Sequence, residues 1–167
     1  KLLFTGSLEG KVKVFKAYNF STFKALKTFY FEKKKIFGLL YIREENVLLI
    51  ACKEGFIHVV NVENFQIIKT IRKPGPLDHS MVYIPEIKAI ALGCLGNDTV
   101  EIICPRTFMT KEIIHKKFMV QMLKNIQWDS TRKELLVSFA YKIIKIYKFD
   151  EHHKAIEDRE LFIDKPF

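Results

Sequence analysis

Half of a β-hairpin recurs four times along the chain at nearly constant spacing. The stretches "TGSLEGKVKVFK" (5–16), "ACKEGFIHVVNV" (51–62), "GCLGNDTVEIIC" (93–104) and "SFAYKIIKIYK" (138–148) each pass from a small-residue strand end through a turn into a β-branched strand. Aligned on that strand, Val12, Ile57, Val100 and Ile144 coincide, as do Val14, Val59, Ile102 and Ile146, at intervals of 45, 43 and 44 residues. Lys13, His58, Glu101 and Lys145 stand between them. A polar residue flanked by β-branched ones is the period-2 pattern of a strand with one buried face. Units of this length cannot bury their apolar face alone and must stack on their neighbours.

Each repeat holds four strand candidates. They are predicted at 36–42, 47–52, 56–62 and 65–71, then at 79–84, 87–93, 99–104 and 108–114, then at 120–128, 134–139, 142–149 and 159–163. The opening residues supply three, at 2–7, 11–16 and 24–31. "REEN" (43–46), "KPGP" (73–76), "GND" (96–98) and "DSTRK" (129–133) mark turns between them. A helical reading competes only over "EHHKAIEDRELF" (151–162).

Four strands in about 40–45 residues is the arithmetic of a propeller blade. In its residues the chain resembles the WD-repeat β-propellers. Gly6-Ser7, Glu9-Gly10 and Phe15-Lys16 match the second half of that family's unit, with Glu for Asp and Phe for Trp. Tyr41, Tyr83 and Trp128 match its first-strand aromatic, and Pro85-Glu86 the turn that follows. The likeness departs at the Gly-His pair, which no repeat carries, and at the Trp position, held by Phe15, Val60, Ile103 and Tyr147. Trp128-Asp129 ends a first strand rather than a third. The resemblance implies an all-β chain of four-stranded antiparallel blades, about three and a half of them: 1–31 incomplete, then 36–71, 79–115 and 120–163. Propellers close with typically 4–8 blades, so a longer parent protein or a completing partner is expected, as is sequence ahead of Lys1.

Composition agrees with a packed domain, being 49% hydrophobic. Neither a membrane-length apolar run nor a signal peptide is read at the sequence level. Cys52, Cys94 and Cys104 are odd in number and form no CxxC pair, which favours a reducing, cytoplasmic setting. Cys52 and Cys94 align with Ser7 and Ser138, as small core residues would. His58, His79, His115, His152 and His153 show no zinc-ligand spacing. Glu9, Glu54 and Asp98 recur at equivalent turns, which points to turn geometry rather than catalysis. With no Gly-rich phosphate loop and no assembled nucleophile and base, the expectation is a non-enzyme without cofactor or metal.

The net charge of +9 comes almost entirely from lysine. Lysine is a mobile point charge, whereas arginine is the bidentate reader of phosphates and bases. Lys33, Lys34 and Lys35, then Arg72 and Lys73, then Lys116 and Lys117 lie in the linkers between repeats. Equivalent linkers emerge on one face of a propeller, so these seven residues are the candidate partner-binding site. What the resemblance implies is an interaction scaffold within a larger assembly, cytoskeletal or ciliary among the settings. It would dock proteins with acidic surfaces. An RNA- or DNA-associated propeller and an acidic-phospholipid-binding one, through "IRKPGPL" (71–77), are the alternatives.

Overall fold

A computed structural model describes residues 1–19, 21–73, 77–94, 99–115, 123–140 and 143–162. They form fifteen strands and one 3-10 turn, Pro85–Ile87. β1 (Leu2–Gly6), β2 (Lys11–Ala17) and β3 (Phe23–Tyr30) make a three-stranded sheet, and three four-stranded sheets follow. These are β4 (Ile36–Ile42), β5 (Val47–Cys52), β6 (Phe56–Asn61) and β7 (Gln66–Arg72); β8 (Leu77–Ile84), β9 (Ala89–Cys94), β10 (Thr99–Ile103) and β11 (Thr110–His115); and β12 (Leu123–Asp129), β13 (Glu134–Phe139), β14 (Ile143–Phe149) and β15 (Ala155–Phe162). Every sheet is an antiparallel meander of strands consecutive in the chain. The chain divides into two compact units, Lys1–Leu77 and Asp78–Phe167.

In the first unit β1 lies against β4, and the core joins Val12, Val14, Phe29 and Phe31 to Ile36, Leu48, Ile50, Cys52 and Val60. In the second, β9 lies against β12, and the core joins Ala89, Ala91, Val100 and Ile102 to Leu135, Val137, Phe139 and Tyr147. Burial of each such aliphatic side chain contributes about 1.5–3 kcal/mol.

The helical alternative at 151–162 is not what forms. Asp150 accepts the backbone N–H groups of His152 and Lys154, at 2.9 and 2.8 Å, in a tight turn. Left-handed His153 (φ 61°) closes that turn, and β15 runs back along β14. Cross-strand ion pairs hold it: Lys145 to Glu157 at 3.0 Å, Lys148 to Asp158 at 3.0 Å, and Arg159 to the buried Glu134 at 2.8 Å.

The polar position of the repeated strand also differs from expectation, because in the middle two sheets it is buried. His58 is 6% exposed and Glu101 7%. Each pairs with a hydroxyl on the neighbouring fourth strand: His58 Nδ1 lies 2.9 Å from Thr70 Oγ1, leaving Nε2 buried without a partner, and Thr110 Oγ1 donates to Glu101 at 2.6 Å. Lys145 makes the corresponding reach to Glu157. Both faces of β10 are covered, so the polar residue needs a partner within its own sheet.

The backbone repeats more faithfully than the residues do. Asn46, Lys88 and Lys133 are left-handed, with φ of 52°, 45° and 55°, and each directly precedes the second strand of its sheet. Phe65, Phe108 and His153, at 56°, 60° and 61°, stand one or two residues ahead of the fourth strand.

Candidate functional site

Two turns and two linkers interlock at one end of the first unit. Gly10 and Gly55 take φ of 78° and 85° in the turns ahead of β2 and β6. Phe31 N–H donates to Gly10 O at 2.8 Å, and Lys73 N–H donates to Gly55 O in the same manner at 2.8 Å. Ile36 N–H reaches Ser7 O at 3.2 Å, and Lys53 N–H reaches Lys35 O at 2.9 Å. Glu54, one of the recurring turn carboxylates, accepts the Lys35 N–H on both oxygens at 3.3 Å. The backbone of the linkers is therefore fixed, and their side chains start from defined points.

Two of those side chains approach one ring. Lys34 Nζ stands 4.1 Å from the centre of Phe56, and the Arg72 guanidinium carbon stands 5.6 Å from it. The aromatic face attracts both cations. Below Phe56 the rings continue inward: His58 at 6.3 Å and 7°, then Phe31 against His58 at 4.5 Å and 21°, then Phe29 at 6.3 Å and 19°. The column passes from half-buried Phe56 to buried Phe29, so the cations rest on a rigid apolar pillar. A further cation, Lys53, lies 5.5 Å from the ring of Phe37.

Burial, with Lys34 as the lesser cause, lowers the His58 pKa to about 4. Its imidazole is neutral and adds no charge to the cluster. Burial also pushes the Cys52 thiol up to about 11, against a smaller downward pull from Lys34. The cationic character thus belongs to Lys34, Arg72 and the exposed Lys33, Lys35 and Lys53 around them.

Of the seven linker residues singled out from sequence, the structure brings Lys34 and Arg72 together on Phe56. Lys33 and Lys35 flank Lys34 on the same linker, and Lys73 is held through its backbone. Lys116 and Lys117 lie outside the described residues, as do Asp98 and the side chains of His79 and His115. Sequence reasoning missed Phe56 and Lys53. Phe56 follows the turn glycine Gly55 and Lys53 lies two residues before it, and an aromatic that opens a strand reads as core.

Elsewhere Cys52 and Cys94 are buried, and none of the three cysteines is in a disulfide. Cys94 donates to Glu101 at 3.8 Å. Among the described residues no three His, Cys, Asp or Glu side chains are grouped to hold a metal ion, and no helix is long and apolar enough to cross a membrane. A scan of the chain against protein-family models gives no match, and a search of curated proteins gives none either.

Proposed function

We propose that the chain is a segment of a WD-repeat-like β-propeller that serves as a non-catalytic protein-interaction scaffold, with the linker end of the first unit as its docking surface for an acidic partner. The observation that carries this reading is the convergence of Lys34 and Arg72 on Phe56. A guanidinium and an ammonium drawn to one ring present several donors to a carboxylate-bearing partner. The propeller part of the reading draws its support from successive antiparallel meanders at the period of the repeat. Free thiols in the cores suit an intracellular, reducing setting.

The test is affinity isolation with the chain and with a Lys34→Glu, Arg72→Glu variant, recovering bound proteins and nucleic acid separately. Acidic proteins should be captured by the first and lost from the second. Equal capture by both at low and moderate salt overturns the docking surface, and recovery of nucleic acid with a steep salt dependence replaces the protein partner with a phosphate backbone.

A further inference from the structure

The second unit carries a pair of adjoining clefts with opposite charge. The first, about 310 Å³, has an apolar floor of Ile87, Ala89 and Ile102, all buried. Lys111 and Lys154 stand at its rim with His152 and His153, against one carboxylate, Glu112. That carboxylate is engaged, since it accepts the N–H of Ala155 at 3.2 Å. The second cleft, about 220 Å³, shares Ile87 and His153 with the first and is walled by Trp128 and Phe149. Its charges are reversed: Glu86, Asp150 and Glu151 against Lys133.

The dividing wall is built firmly. His153 sits at the left-handed position of the turn that Asp150 pins through two backbone N–H groups, and its own N–H donates to Asp150 O at 3.0 Å. In the second cleft the indole N–H of Trp128 is buried with no acceptor in reach, while its ring is tilted against Phe149 at 6.2 Å. That N–H is closed off from the cleft, so it is the ring of Trp128 that the second cleft offers to a ligand. An aromatic wall among carboxylates favours a cation. The first cleft favours a carboxylate joined to apolar carbon. A peptide supplies both from one chain: a basic side chain and an acidic one close by.

We propose that the paired clefts bind an extended peptide segment of a partner protein, with a basic side chain against Trp128 and Phe149 and a nearby acidic side chain between Lys111 and Lys154. The site belongs wholly to the second unit and does not depend on the basic linker end of the first.

Trp128 is the chain's single tryptophan, so its fluorescence reports on this site alone. The experiment titrates the whole chain with the blocked peptide acetyl-Gly-Lys-Gly-Glu-Gly-amide, with its analogue carrying Gln at both charged positions, and with acetate and guanidinium ions separately. Expected is a saturable change with the charged peptide and little with the analogue or the ions. A Lys111→Glu, Lys154→Glu variant, shown folded by circular dichroism, should weaken binding about tenfold or more, and so should Glu86→Lys with Glu151→Lys. No response, equal response to the neutral analogue, saturation by the single ions, or undiminished binding by both folded variants overturns the proposal.

Discussion

The imidazole of His58 lies face to face with the ring of Phe31, centroids 4.5 Å apart, and the fold keeps that imidazole neutral. Its pKa is lowered from 6.5 to about 4, by burial first and by Lys34 second. The unfolded chain therefore binds the extra proton between those values. The stability that His58 contributes is complete above pH 6.5 and is lost as pH falls toward 4, by about 3 kcal/mol in all. Urea unfolding of the parent and of His58→Leu across pH 4 to 7 measures this. The parent should lose more stability than the variant over that window, and parallel curves would refute the assignment.

Gly10 is required by its surroundings twice over. Its φ of 78° is left-handed, and a Cβ there would overlap Phe31 O and stand 2.6 Å from Lys34 O. Gly10→Ala should cost about 2–4 kcal/mol and displace the linker that carries Lys34. Thermal unfolding tests the first effect. The second shows as weaker partner capture under conditions where the variant is still folded.

Thiol reactivity should separate the cysteines. Cys104, outside the strands and half-buried, has its pKa lowered by hydrogen bonding with Thr107, whereas burial raises Cys52 to about 11. The thiolate is the reactive form. Brief iodoacetamide treatment of the folded protein near pH 8, followed by peptide mapping, should find Cys104 modified well before Cys52. Equal labelling would mean that the core around Cys52 opens on the time scale of the reaction.

Removing the ring at the base of the cation pair should matter more for the surface than for the core. Phe56 is half-buried and holds Lys34 and Arg72. Phe56→Leu keeps the apolar contact with the column and removes the π face, at a stability cost of about 1 kcal/mol. Capture of an acidic partner should fall further than that loss explains, and retention of full capture would show that the ring plays no part in presenting the cations.

The repeated strand of the first three sheets was legible because β-branched residues alternate with a polar one: Val12 and Val14, Ile57 and Val59, Val100 and Ile102 are all buried, and of the residues between them only Lys13 is exposed. β15 was not fully legible. It is an outer strand with most side chains exposed, and its run of Glu, Asp and Arg carries no apolar alternation, so only cross-strand charge pairing reveals it. At the linker end, position along the repeat located Lys34 and Arg72. Their meeting on Phe56 was hidden, since contact between residues so far apart in sequence depends on how β6 and β7 pair. The clefts of the second unit carried no motif, because each wall comes from a different strand or turn.

The left-handed turn positions allow a direct gain in stability. Lys88 and Lys133 are exposed and hold a backbone conformation that costs a side-chain-bearing residue about 1 kcal/mol. Lys88→Gly and Lys133→Gly should each raise stability by about 0.5 kcal/mol, measurable as a shift in the urea midpoint with unchanged slope. A loss in both would mean that the lysine side chains hold these turns through contacts that outweigh the strain.

Those six turns also bear on how unlike residues can build the same sheet. Asparagine or lysine fills the left-handed slot before the second strand, and phenylalanine or histidine the one before the fourth, so what recurs from sheet to sheet is an angle and not a letter. The angle is imposed by the pairing of the strands on either side, which outlasts many changes of residue. Shape is thereby kept in the hydrogen-bond ladder while the text between its rungs changes from one sheet to the next.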